Sequence, residues 1–362
     1  MDLRYIAIYL PQFHPIKEND EWWGMGFTEW TNVSKAVPLF KGHQQPILPA
    51  DLGFYDLRLE QTRIEQAQLA KENGIDGFCY YHYWFHGKRL LERPVSEMLQ
   101  SKKPNFPFCL CWANETWSRR WTGDEKEILI KQEYSVEDDR NHAQYLSSVF
   151  SDERYITIEG RPLFVVYRPG DLPDPKHTIE TIKETVLSNG LKEPFIVASN
   201  SHQWDNEKLL NDGFDSILNF RPQLGILPFA NSDEFSWGRL KRNFKKYGLL
   251  DGQLKLFDYQ EAIKIMQIIE PENFDKIIPS VFVGWDNSAR RGKKGIVMLD
   301  NNSEYFEEEL LRITNKLKNS NTNSNIIFIN AWNEWAEGNK LEPDVNMGKH
   351  HLEVVKKIKA TL

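Results

Sequence analysis

No run in this 362-residue chain approaches the roughly 18 consecutive apolar residues that a membrane-crossing helix needs. The start, Met-Asp-Leu-Arg-Tyr-Ile-Ala-Ile-Tyr-Leu-Pro, has no basic segment leading into an apolar stretch of about 7–15 residues, so no secretion signal is expected and the expected location is cytoplasmic. Cysteine is scarce: Cys79, Cys109 and Cys111 alone. An odd count inside apolar runs, without a secretion signal, reads as reduced core thiols. Cys109 and Cys111 are too close together for a zinc site, and no second Cys/His pair stands nearby. Positive charge is also in deficit, with 45 Lys and Arg against 52 Asp and Glu. A net charge of −7 argues against a nucleic-acid partner, and the local basic run at 240–246 reads as a solvated helix face. There is no Gly-x-Ser-x-Gly elbow for a serine hydrolase and no Asp-x-Asp metal motif. No glycine-rich phosphate loop follows the first apolar run, where Leu10-Pro11-Gln12-Phe13-His14 stands instead.

Aromatic residues, by contrast, are abundant: 13% of the chain, including twelve Trp. A buried indole N–H needs a partner, so a core alone is a costly use of so many. A sugar site needs aromatic faces for pyranose C–H groups, with carboxylates and amides for the hydroxyls. A Trp-rich core is the other reading of the same composition.

Eight short β-prone runs lie at 4–10, 76–82, 107–112, 163–168, 195–199, 215–220, 278–283 and 326–331. Most are continuously apolar rather than alternating, as expected of parallel strands buried on both faces. Amphipathic helix patterns separate several of them, at 57–73, 178–190 and 259–269, with a final helix near 348–361. Gly74 and Gly190 follow two of these where a left-handed helix cap is expected. Alternating strand and helix with eight strands predicts one domain over 1–362, a (β/α)8 TIM-type barrel. A doubly wound open sheet is the alternative, disfavoured by the missing phosphate loop. The long segments after strands 1 and 6, at 11–56 and 221–276, are read as loops that shape the site.

The C-terminal ends of these strands carry polar and aromatic clusters. Gln12 and His14 follow the first, with Trp23, Glu29 and Trp30 in the loop beyond. Tyr81, His82 and Trp84 follow the second, and Trp112, Asn114, Glu115 and Trp117 the third. Arg168 ends the fourth, while Trp285 and Asp286 follow the seventh. The eighth runs into Trp332-Asn333-Glu334-Trp335-Ala336-Glu337-Gly338. All are candidate substrate-binding residues, with Glu334 and Glu337 as the catalytic pair. Cleaving a glycosidic bond takes one carboxylic acid to protonate the leaving oxygen and one carboxylate to act as base or nucleophile. Two glutamates three apart meet this need if the strand turns between them, and flanking Trp rings would raise the acid's pKa by excluding water. The plainer reading makes both solvated loop residues; their place at a barrel strand's end argues otherwise. His14, His82 and His86 with an acid could hold a metal, but although His82 and His86 stand four apart, no His-x-x-x-His spacing with a glutamate supports it strongly, and no cofactor is expected.

The segments Ala7-Ile8-Tyr9-Leu10-Pro11-Gln12-Phe13-His14, Gly26-Phe27-Thr28-Glu29-Trp30, Tyr80-Tyr81-His82-Tyr83-Trp84-Phe85, Cys111-Trp112-Ala113-Asn114-Glu115 and Ala331 to Gly338 resemble the WbsX family. That family is related to the endo-α-mannanases and endomannosidases of glycoside hydrolase family 99, occurs in bacterial surface-polysaccharide gene clusters, and has often been labelled glycosyltransferase. The resemblance covers nearly the whole chain and implies a (β/α)8 barrel with a retaining, metal-independent mechanism. It further implies that Glu334 is the base on the sugar's own 2-hydroxyl, forming an anhydro-sugar, and that Glu337 is acid, then base. Where those hydrolases carry His before the second glutamate, this chain has Ala336. The expected function is therefore a glycoside hydrolase on a surface-type polysaccharide or oligosaccharide, with an α-mannoside-like linkage. The alternatives are a glycosyltransferase of surface-polysaccharide or O-antigen synthesis and a non-catalytic sugar-binding barrel.

Overall fold

The computed structural model describes residues 3–119, 124–227, 254–301, 303–320, 322 and 324–362. Eight parallel strands close on themselves: β1 (Arg4–Tyr9), β2 (Gly77–Phe85), β3 (Phe108–Trp112), β4 (Arg161–Val166), β5 (Phe195–Ser199), β6 (Ser216–Asn219), β7 (Ile277–Phe282) and β8 (Ile326–Asn330). Each pairs with the next in sequence. β8 returns to β1 with Ile6 opposite Phe328 and Ala7 opposite Ile329, so the sheet has no edge. This is the (β/α)8 barrel that the eight apolar runs predict, and those runs are buried on both faces for the reason given above.

A helix follows each strand on the outside: α1 (Glu60–Glu72), α2 (Arg93–Ser101), α3 (Val136–Phe150), α4 (Pro175–Ser188), α5 (Asn206–Asn211), α6 (Tyr259–Ile268), α7 (Ser303–Lys318) and α8 (His350–Lys359). Local chemistry sets their ends. Ser135 caps α3 by accepting from the Asp138 amide, and Asp174 caps α4 by accepting from that of His177. Gly74 follows α1 at φ 84°, and a Cβ there would come within 2.9 Å of the Lys359 side chain, so both conformation and space call for glycine. That lysine donates to the Leu3 carbonyl and to Asp76, tying the last helix to the first two strands.

Tyr9, Phe78, Tyr80 and Trp332 pack together on the side of the strands turned to α1, where Tyr9 donates to Gln66, and the three cysteines are free and buried, as the composition predicts. Elaboration lies at the strands' C-terminal end. The loop after β1 runs to Leu59 and carries two short helices, Lys17–Trp23 and Glu29–Lys35. β2 extends three residues beyond its predicted end because Lys88–Leu90 pairs antiparallel with it above the barrel rim. A hairpin, Trp117–Arg119 with Asp124–Ile130, rises after β3. Residues 228–253 of the long segment after β6, which include the basic run at 240–246, lie outside the described residues. No helix among those described is long and apolar enough to cross a membrane.

Candidate active site

The turn after β8 is built from its own sequence. Asn333–Glu334 pairs antiparallel with Asn339–Lys340, and Trp335–Glu337 forms a single 3-10 turn between them. Gly338 sits at φ 60°, and a Cβ on it would lie 3.0 Å from the Asp286 Cβ and 3.1 Å from its backbone nitrogen. Glu334 and Glu337 are thereby presented to one cleft. Asn333 anchors the turn: its side chain accepts from the Leu10 amide at 2.7 Å and donates to the Leu10 carbonyl at 3.0 Å, mimicking a strand partner for the end of β1.

A residue that motif reading missed organises the carboxylates. Arg290, on the short helix Ser288–Arg291 after β7, donates to Glu337 at 2.7 Å, to Glu334 at 3.0 Å and to Glu29 at 3.1 Å. Its side chain is 8% exposed and that of Glu29 is wholly buried. Asp286 sets the position of this helix. Its carboxylate accepts from the Ser288 amide, from His43 at 2.8 Å and from Gln45 at 2.6 Å, while its own amide donates to the Glu337 carbonyl.

Three carboxyls thus face one guanidinium in a site shielded from water. Burial, reinforced by the charges of Glu337 and Glu29 and opposed by Arg290, pushes the Glu334 carboxyl up to about 8. Burial also raises Glu337, against the pull of Arg290. The guanidinium, held by three acids, stays charged throughout. Near neutral pH the cluster therefore retains a carboxylic proton, the requirement for a general acid.

The cleft encloses about 200 Å³. Its walls are Gln12, Trp23, Tyr81, Tyr83, Glu115, Trp117 and Tyr167, with Arg290, Glu334 and Glu337 at its floor. Tyr81 and Tyr83, two apart on β2, share the face that looks into it. Trp117 meets Tyr83 edge to face at 5.0 Å, and Gln12 donates to the Tyr83 hydroxyl. Arg168 stands beside this wall, ion-paired to Glu115 at 3.6 Å and to Asp171.

Other candidates lie behind the walls. Trp30 packs on Phe13, Tyr55 and Trp335, donating to the Tyr55 carbonyl. Trp84 donates to the Asp138 carboxylate, and Trp112 to the Trp84 carbonyl. His82 shares a hydrogen bond with His142, and burial lowers its pKa to about 3. His14 is buried too, lowered to about 4 for the same reason. Asn114 binds the Arg168 backbone through both its amide and its carbonyl. Trp332 is a core residue, and Trp335 donates to Glu342, a carboxyl that burial raises to about 7. Trp285 and Asp286 line a second cavity of about 300 Å³ behind the Glu334–Glu337 turn. Among the described residues no group of three His, Cys, Asp or Glu is arranged to hold a metal ion.

A closed barrel with an aromatic, carboxylate-floored cleft at the strands' C-terminal end has the fold of a carbohydrate-active enzyme. The chain belongs to the WbsX family, whose model, described as Glycosyltransferase WbsX, matches residues 5–355. It is 39% identical over 363 residues to the WxcX proteins of two strains of Xanthomonas campestris pv. campestris, both described as uncharacterized. The alignments cover 97% of this chain and 49% of each relative, so the chain spans about half the length of the curated relatives it matches. Its fold is similar to that of the family GH99 endo-alpha-mannosidase from Bacteroides thetaiotaomicron, with TM-score 0.58 and 14% identity over 99% of this chain and 97% of that one. A glycoside hydrolase-like protein aligns with TM-score 0.56 and 11% identity, over 99% and 94% of the two chains. At these identities the likeness speaks for the fold alone.

Proposed function

We propose that this chain is a retaining glycoside hydrolase acting on a surface-type polysaccharide or oligosaccharide through an α-mannoside-like linkage, within one (β/α)8 catalytic domain. The observation that carries the reading is the trio of buried carboxyls around Arg290 at the floor of an aromatic cleft. Such a site binds the C–H faces of a sugar on its rings and supplies both an acid and a base beneath them.

In this reading the sugar's 2-hydroxyl hydrogen-bonds to Glu334. A donor at that carboxyl favours its ionised form, so the proton held by the cluster resides on Glu337. Glu334 then takes the 2-hydroxyl proton as O2 attacks C1. The bond from C1 to the leaving oxygen breaks, and Glu337 gives its proton to that oxygen. The 1,2-anhydro-sugar opens when Glu337, now a carboxylate, takes a proton from water as the water oxygen bonds to C1. The C1–O2 bond breaks and Glu334 returns its proton to O2, leaving the anomer with its configuration retained. An internal hydroxyl is a nucleophile already in place, with a high effective concentration. Direct attack on C1 by a glutamate, a covalent double displacement, uses the same pair.

The family's printed name favours a second reading, transfer from a nucleotide sugar. Mass analysis of products from α-linked oligosaccharides, with and without nucleotide sugars, separates the two. Shortened products without nucleotide, lost in both Glu334→Gln and Glu337→Gln, are expected. Lengthened products formed only with a nucleotide sugar, or full activity in either variant, refute the hydrolase reading.

A further inference from the structure

The cavity behind the catalytic turn holds about 300 Å³ and belongs to none of the steps above. Its floor is the reverse side of the turn at Gly338 and Lys340. One wall is apolar, formed by Trp285, Val283, Met298 and Phe40, the last stacked on His43 at 4.3 Å. Asn301, Asp344 and His351 add polar groups to the lining.

Three lining residues carry a buried polar atom without a hydrogen-bond partner among the described residues: Trp285 Nε1, Asn301 Oδ1 and His351 Nε2. Each buried polar group left unmade costs about 1–3 kcal/mol, so three around one void mark a place that polar matter fills. The apolar part of the lining sets this void apart from a pocket for water alone, because water gains nothing from Val283, Met298 or Phe40. Three of the charged lining groups, Lys340, Asp344 and Asp286, are already matched. Lys340 pairs with Asp344 at 2.5 Å, and Asp286 is held by His43 and Gln45. That balance disfavours a phosphate, sulfate or carboxylate and favours a neutral ligand with donors, acceptors and an apolar face.

We infer that this cavity is an accessory site for one neutral glycosyl unit, seated against Trp285 and hydrogen-bonded by Asn301 and His351. Its occupant would reach the active site through the frame that holds the glutamates. Gly338 and Asp286 line the cavity, and the Asp286 amide donates to the Glu337 carbonyl. Asn301 is admitted by glycine: its side chain packs where a Cβ on Gly284 would otherwise stand.

The test uses the whole chain carrying Glu337→Gln, so that turnover, and with it the hydrolase reading, does not enter the result. Methyl α-mannoside and methyl α-glucoside are titrated to about 50 mM, where millimolar affinities register. Indole N–H resonances are followed by NMR, with Trp285 reporting the cavity and Trp117 the cleft. The expected result is a saturable shift of the Trp285 indole whose Kd weakens about tenfold in Asn301→Leu and in His351→Leu, the loss of roughly one hydrogen bond. A Trp285 indole that neither sugar moves, or whose titration is the same in both folded variants, overturns the proposal. If one variant does not fold, the other decides.

Discussion

Replacing Arg290 with Met should convert the site from one that can ionise a base at neutral pH into one that cannot. The guanidinium touches all three carboxyls and is their shared buried cation among the described residues. With it present, the Glu334 carboxyl is still held up to about 8, so about a tenth of that group is ionised at pH 7 before substrate binds. Two unit charges about 4 Å apart interact by about 4 kcal/mol at an effective dielectric of 20, and each 1.36 kcal/mol is one pKa unit. Discounting by half for relaxation, loss of Arg290 raises the pair by one to two units, roughly 10- to 100-fold less base at pH 7. The cluster escapes the full penalty of unpaired buried charge by taking up protons, so the variant should fold. The assay, under the hydrolase reading, is kcat/KM from pH 5 to 10 on an α-linked oligosaccharide. In Arg290→Met the rising limb should move to higher pH, with activity recovering at the alkaline end. Arg290→Lys keeps the charge without the fork and should shift the limb less while still losing rate. An Arg290→Met profile superposable on that of the parent would refute the electrostatic account.

Two further outcomes follow from the same frame. A carboxyl whose folded pKa lies above its unfolded value makes the fold most stable below about pH 4.5 and progressively less so as pH rises to about 8. Glu334→Gln removes that liability, so its Tm at pH 8–9 should exceed that of the parent, by the equivalent of about 1–3 kcal/mol, while activity falls; an unchanged or lowered Tm there contradicts the raised carboxyl. Gly338→Ala should cost about 1–2 kcal/mol for its left-handed backbone alone. The new Cβ, 3.0 Å from that of Asp286, would also displace the segment that leads into the short helix carrying Arg290, so denaturant melts and turnover should both show a loss; a variant matching the parent in both would mean the turn is slack.

Much of the architecture was legible in the chain itself. Parallel strands in a closed barrel are buried on both faces, so each announces itself as a short apolar run, and all eight lie where such runs occur. The glutamate pair was legible for a related reason: the end of the last strand points to the barrel mouth wherever the rest of the chain goes. Several helices, notably α3 and α7, escaped the pattern, for their faces mix acidic and polar residues with the apolar stripe.

The site's composition was decided only in three dimensions. Successive residues on a strand point to opposite sides, and no pattern of aromatics reveals which side opens to solvent. Hence Tyr81, Tyr83 and Trp117 line the cleft, while Trp84, Trp112 and Trp332, of the same kinds and in the same motifs, pack in the core. Arg290 was the deepest omission. It stands 44 residues from Glu334, 47 from Glu337 and 261 from Glu29, on a one-turn helix without a motif of its own. Its one signal is an Arg-Arg doublet just beyond strand seven, at the same barrel end as the glutamates. Sequence alone determined which segments become strands, because burial acts on each segment locally. Closure of the barrel determined which charges meet, because the energy of a buried cation depends on distances that only the folded chain possesses.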